Sequence, residues 1–280
     1  MSASPPTHIA QKSITRTGNG DFTFEGAGKL AGRPLHVWYN APADLANARI
    51  LIVMTGTQRD GEDYRADWVP LLKNRNTLLL VPEFSEDDYP GVSSYNLGSI
   101  IDEDGHLQPQ AEWSFNMIES LFASVVAETH SSATGYELFG HSAGAQFVHR
   151  FMEFMPETKA TIAVAANAGW YTVLDESVRF PYGMKGAPVR ADDMKEAFKR
   201  QLVILLGADD IDPHDSSLQR DRHTDQQGTD RLARGLNFYR TAREYAGESA
   251  TFNWRLIVVP GIAHSHGDMA RAALPILLPE

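Results

Sequence analysis

The 280-residue chain contains no cysteine. That excludes disulfide frameworks, thiolate nucleophiles and cysteine-ligated zinc, and it leaves the redox compartment open. No apolar run approaches the about 20 residues that a membrane-spanning helix requires, so no membrane partner is expected. A basic surplus is also missing. Lys and Arg number 25 against 36 Asp and Glu, a formal charge of −11, which argues against non-specific nucleic-acid binding through a broad basic face. No internal repeat, low-complexity tract or long Pro/Gly/Ser linker divides the sequence, so a single domain spanning 1–280 is expected. The polar, proline-bearing segment 1–18 lacks the apolar stretch of a secretory signal and reads as a poorly ordered extension. Cytoplasmic residence is the default expectation, with an exported form whose signal has been removed as the alternative.

What remains is an ordinary globular composition, 42% hydrophobic and 22% charged, able to bury a large core. From Leu35 onward, short β-branched or leucine-rich runs alternate with amphipathic stretches, the pattern of βα units around a mostly parallel sheet. The runs are Leu35–Tyr39, Ile50–Met54, Thr77–Val81, Tyr136–Phe139, Thr161–Ala165, Leu202–Leu206 and Trp254–Val259. Several are apolar throughout, as strands covered on both faces should be. Phe22–Phe24 is expected to pair with Leu35–Tyr39 as an antiparallel edge. Helical patterns cover Asp63–Arg75, Trp113–Thr129, Ala143–Phe154, Thr229–Ala246 and Asp268–Leu277. The loosest connections, Pro82–Gln110, Asn167–Arg200 and Asp209–Gly228, all follow strands, on the side where open α/β sheets place their ligands.

One connection carries a chemical signature. After the run Tyr136–Phe139 comes Gly140-His141-Ser142-Ala143-Gly144, followed at once by a helical pattern. A G-x-S-x-G between strand and helix places its serine in a strained turn, and the flanking glycines answer the crowding there. Ser142 is thus a candidate nucleophile. A serine hydroxyl needs an adjacent base, normally a histidine, and the histidine needs a carboxylate to fix its tautomer. Candidates follow in the order Ser, acid, His: Asp209, Asp210 and Asp212 after Leu202–Leu206, and His264 and His266 after Trp254–Val259.

These motifs resemble those of the α/β-hydrolases, in which the acid follows a strand as G-x-x-D and the base as P-G-x-x-H. Gly207-Ala208-Asp209-Asp210 and Pro260-Gly261-Ile262-Ala263-His264 then select Asp210 and His264, with Asp209, Asp212 and His266 as rivals. The resemblance runs from Leu35 to Leu277 in element order and implies an α/β-hydrolase fold without a large cap domain. An oxyanion hole would use the backbone N–H of Ala143 and that of Thr57, with Gln58 as the fallback. Many relatives carry His-Gly where this chain has Thr55-Gly56. His141 should turn away from Ser142 and line the pocket wall or pack internally. His149 reads as a structural or surface residue.

Met54-Thr55-Gly56-Thr57, Pro82-Glu83-Phe84-Ser85 and the serine motif are similar to the depolymerase-like branch of the superfamily, which includes polyhydroxyalkanoate depolymerases and poly(aspartic acid) hydrolases. The resemblance implies a serine hydrolase acting on esters or amides of an extended or polymeric substrate, with a small-molecule carboxylesterase as the alternative and a non-catalytic binding protein behind it. No metal or organic cofactor is implied. Trp170 and Tyr171 are expected to form an aromatic rim, with Tyr89 and Tyr95 as further candidates. For a polyanion, Arg59, Arg179, Lys185, Arg190, Arg220 and Arg222 would supply the cations, Arg59 and Lys185 foremost. A dinucleotide-binding oxidoreductase is disfavoured because no G-x-G-x-x-G follows the first strand.

Overall fold

The computed structural model describes residues 13–248 and 251–280; residues 1–12, most of the expected N-terminal extension, lie outside them. The rest of that extension is anchored rather than loose. Ile14 is buried, and the amides of Ser13 and Ile14 both donate to Glu128.

Eight strands form one sheet in the order β1-β2-β4-β3-β5-β6-β7-β8. They are β1 (Gly18–Phe24), β2 (Leu35–Ala41), β3 (Arg49–Met54), β4 (Thr77–Glu83), β5 (Tyr136–His141), β6 (Ala160–Ala166), β7 (Gln201–Gly207) and β8 (Arg255–Val259). The expected edge pairing of β1 with β2 is antiparallel, as is β2 with β4, and every later pairing is parallel. Strand order reverses between β3 and β5. The carboxyl ends of these two neighbours therefore open a crevice at the switch point, and both carry the motif residues.

The apolar runs become strands because both of their faces are covered. Along β3, Ile50, Ile52 and Met54 join one apolar cluster while Leu51 and Val53 join the other, following the two-residue period of a strand. Helix α1 (Gly61–Leu71) and α8 (His266–Leu277) close one face through Trp68, Met269 and Ala273. The other is closed by α3 (Asn116–Thr129), α4 (Ala143–Phe154), α5 (Ala191–Lys199) and α7 (Arg231–Ala246). All twelve residues of α4 are buried. The short helices α2 (Gly91–Ser94) and α6 (Arg222–Gln227) had no counterpart in the sequence reading. Helix α1 begins two residues earlier than the pattern indicated, because the Asp60 side chain caps it by accepting from the Asp63 amide.

Candidate active site

Ser142 sits between β5 and α4 at φ 57° and ψ −114°, a conformation costly for a residue with a side chain. The surrounding chain imposes it. A Cβ on Gly140 would lie 2.2 Å from the Gly144 carbonyl oxygen, and one on Gly144 would lie 2.3 Å from that of Met54. Both glycines are required because strand, elbow and helix pass this closely. Met54 pairs with Gly140 in the parallel register, which brings the turn after β3 alongside the elbow.

Two further loops converge on the serine. His264 follows β8, and its Nε2 lies 3.1 Å from the Ser142 Oγ, while its Nδ1 lies 2.7 Å from the Asp210 Oδ2. Asp210 is buried. The loops are stitched to each other by main-chain bonds from Ala208 to Val259 and from Asp209 to Ile262. Gly207 lets them meet, since a Cβ there would stand 2.3 Å from the Ile262 carbonyl oxygen. Asn167, at φ 51°, clamps both: it accepts from the Gly207 amide and donates to the Ala263 carbonyl. Nothing in the sequence singles out Asn167 for this role. Tyr95, expected as a rim aromatic, instead donates its hydroxyl to the Thr55 carbonyl at 2.7 Å and braces the turn after β3.

The structure does not bring the rivals into this line. Asp209 is exposed, and Asp212 accepts from the His214 amide in a local turn. His266 turns its Nδ1 to Asp67 at 2.6 Å and stacks on Tyr64, with ring centroids 4.5 Å apart. A His264 that donates from Nδ1 to Asp210 presents a lone pair on Nε2, able to accept the Ser142 hydroxyl proton. Ala143 opens α4, where the first N–H groups have no intrahelical partner. Across the elbow, a Cβ on Gly56 would be 3.8 Å from the Ser142 Cβ, so the exposed Thr57 follows immediately beside the serine. A cleft of about 290 Å³ opens here, lined by Gly56, Thr57, Gln58, Arg59, Asp60, Asp63, Tyr64, His141, Ser142, Ser217, His264 and His266.

No family model matches the chain, and no curated protein matches it. Solved structures do. Poly(aspartic acid) hydrolase-1 from Sphingomonas sp. KT-1 is 43% identical, with a TM-score of 0.89 over 94% of this chain and 99% of that one. LpqC, a poly(3-hydroxybutyrate) depolymerase from Bordetella parapertussis, is 31% identical, with a TM-score of 0.85 over 92% and 90%. The chain belongs to the α/β-hydrolase family. Within it, this serine hydrolase falls in the depolymerase-like branch. The siderophore hydrolase EstA from Aspergillus nidulans, at 15% identity and a TM-score of 0.57 over 97% and 98%, shares the fold.

Several expectations about how this hydrolase meets its substrate are corrected. Arg59 lines the cleft but its guanidinium faces inward. Nη1 donates to the carbonyls of Phe84, Ser85 and Tyr89, Nη2 donates to that of Gly91 at 2.8 Å, and Glu86 pairs with it at 2.9 Å. Trp170 and Tyr171 are core residues, 2% and 0% exposed. The reason is polar: α4 carries a buried His149 and a buried Arg150, and the segment after β6 must satisfy them. Thr172 donates its amide to His149 Nε2 and accepts from Arg150 Nε, while Arg150 lies over the Trp170 ring and Tyr171 stacks on Phe238. Tyr89 and Tyr95 are likewise buried. Lys185 is exposed but lines a separate depression with Glu176 and Tyr245, sharing no residue with the cleft. Arg190 and Arg220 are paired to Asp193 and Asp225. His141 does line the wall, and burial first, then the neighbouring His264 and His266, hold its pKa well below the ordinary value.

Proposed function

We propose that this hydrolase cleaves ester or amide bonds of an extended substrate through a covalent acyl-enzyme, with Ser142 as nucleophile, His264 as general base and Asp210 as the acid that orients it. The observation carrying this reading is the unbroken hydrogen-bonded line from Ser142 through His264 to the buried Asp210. His264 Nε2 takes the hydroxyl proton as the Ser142 Oγ attacks the carbonyl carbon. The carbonyl oxygen gains charge and accepts from the amides of Thr57 and Ala143. His264 returns the proton to the departing alcohol or amine, and water, deprotonated in its turn by His264, releases the acid product.

The openness of the cleft supports an extended substrate. The long excursion between β6 and β7 contributes only the nine-residue α5, far short of a helical cap. Two polymer chemistries each have an observation behind them. The 43% identity to a poly(aspartic acid) hydrolase supports an anionic polyamide. The cleft's charge supports a neutral polyester, because the exposed Asp60 and Asp63 line it while its one arginine is spent on carbonyls and Glu86. Side-by-side digestion of poly(3-hydroxybutyrate) and poly(aspartate) at low and high salt separates them. Release of acid products from the polyester alone, indifferent to salt, selects the neutral chain. Aspartyl oligomers released from poly(aspartate), faster as salt screens the two carboxylates, select the polyanion. Turnover of short p-nitrophenyl esters with neither polymer cleaved would overturn the polymer reading in favour of a small-molecule esterase.

A further inference from the structure

The orienting carboxylate has a second partner. Asp210 Oδ1, the oxygen not used by His264, accepts from Arg231 Nη1 at 3.2 Å. Arg231 is 1% exposed, and its other nitrogen, Nη2, donates to the Ser217 Oγ at 2.7 Å. Asp215 meets the same guanidinium at 3.4 Å, so one buried cation lies between two carboxylates. Ser217 and then Arg231 hold the Asp215 carboxyl well below the usual range. Arg231 is also the first residue of α7, and the next residue, Leu232, donates its amide to the Asp210 carbonyl at 3.2 Å. A single helix start therefore holds both backbone and side chain of Asp210. Burying a guanidinium carries a desolvation cost that an ion pair alone often fails to offset, so its position calls for a further reason.

We infer that Arg231 is a positioning residue for hydrolysis: it locks the rotamer of Asp210 and, together with Asp215, sets how strongly that carboxylate stabilises a proton on His264. The inference rests on the assignment of Ser142, His264 and Asp210 above. A cation against the far oxygen of Asp210 draws negative charge away from the imidazole and makes the imidazolium harder to form. Asp215 offsets part of that pull. The other groups facing His264 are Ser142, His141 at 4.5 Å between ring centroids, and His266 beyond, which is paired with Asp67. His141, held neutral by burial, is itself bonded to the Tyr64 hydroxyl. The Arg231 charge also helps hold His141 neutral, but burial is the larger cause and remains when that charge is removed. Ser142 bonds to His264 and His266 pairs with Asp67, neither of them to position 231 or 215.

The test is the acid limb of kcat/KM for a neutral p-nitrophenyl ester, which reports the base in the free enzyme. Arg231→Met should lower kcat by roughly 10- to 100-fold with little change in KM, the cost of a loosened carboxylate. The same change should move the limb upward by about half a pH unit or more. Asp215→Asn keeps the hydrogen-bond acceptor for Ser217 but leaves the arginine's charge unopposed, so its limb should move downward. Opposite shifts support the inference; unmoved limbs, or shifts in one direction, overturn it. Should Arg231→Met not fold, the sign of the shift in Asp215→Asn decides alone. Labelling of wild-type Ser142 by a fluorophosphonate distinguishes the two levels. Absent labelling refutes the catalytic assignment itself, whereas labelling with unmoved limbs refutes only the role of Arg231.

Discussion

The imidazole of His141 leans against that of His264, ring centroids 4.5 Å apart, with its own Nδ1 3.2 Å from the Tyr64 hydroxyl. Two protonated imidazoles at that distance would oppose each other. Burial keeps His141 neutral, so in the proposed acyl transfer a proton on His264 would face an uncharged wall on that side and the carboxylate of Asp210 on the other.

Acid should therefore weaken the fold. His141 and His149 are both buried and both held well below the ordinary histidine value, His149 by burial first and Arg150 second. Below about pH 6.5 the unfolded chain takes up two protons that the folded chain refuses, and stability present above that pH is lost as it falls. Glu153 acts oppositely. It is buried without a hydrogen-bond partner and pushed well above the carboxyl range, so between about pH 4.5 and 6.5 folding retains its proton. Glu137, raised by burial against the pull of Arg49, adds to Glu153 at the acid end of this window. The two histidines therefore leave a net uptake of at most about one proton by the unfolded chain, or at most about 1 kcal/mol per pH unit. Urea unfolding at pH 6.5 and pH 5.0 should show lower stability at the latter; equal or greater stability would contradict the buried neutral state of both histidines.

Ser142→Ala removes one oxygen at the cleft floor and leaves the strained elbow in place. Turnover should fall by roughly 10³-fold or more with an unchanged unfolding midpoint. The wild type should react with a fluorophosphonate and the variant should not. Retained turnover in a folded Ser142→Ala protein would remove the serine from the mechanism.

Much of this architecture is legible in the chain because its signals are local. The apolar runs of β3, β4 and β7 need only their own sequence, and Gly140, Gly144, Gly207 and Ser142 mark their turns by residue type. The illegible parts depend on distant partners. Trp170 and Tyr171 look like rim aromatics until Arg150 and His149, about twenty residues earlier on a wholly buried helix, are seen packed against their rings, with Thr172 satisfying both polar groups. Arg231 stands 21 residues beyond Asp210 in a helix that reads as amphipathic surface, and only the return of α7 across the acid loop brings them together.

Asp210→Asn should leave the imidazole in the wrong tautomer and cost about 10⁴-fold in turnover, by analogy with the serine-protease case. Asp209→Asn and Asp212→Asn should each cost less than about threefold, since one is exposed and the other serves a local turn. Steady-state kinetics on one neutral ester compares all three. A dead Asp209→Asn variant with a live Asp210→Asn variant would move the acid by one residue.

Truncating Trp170 should act through stability rather than affinity. Its ring lies against Arg150 at 4.1 Å and against Tyr182, with centroids 4.8 Å apart. Trp170→Ala should destabilise by about 3–5 kcal/mol, the usual cost of a large buried aromatic. A normal unfolding midpoint with a raised KM for polymer would restore Trp170 to the substrate rim.

Arg59 offers the sharpest contrast between a substrate contact and a structural one. Its guanidinium satisfies the carbonyls of Phe84, Ser85, Tyr89 and Gly91 and lies 4.9 Å from the ring centroid of Tyr95, whose hydroxyl braces the Thr55 carbonyl. Removing it leaves buried acceptors without donors, at about 1–3 kcal/mol each where water cannot enter. Arg59→Ala should therefore lower the unfolding midpoint and, by loosening the turn that carries Thr57, reduce kcat on neutral and anionic substrates alike, with no change in salt dependence. Arg59→Lys should recover little, because an ammonium cannot fork between Phe84 and Gly91 as the guanidinium does. A substrate contact would behave differently, raising KM for the anionic substrate only, relaxing at high salt and leaving the midpoint unmoved. Unfolding midpoints and salt titrations of both variants on poly(aspartate) and a neutral ester decide between the two.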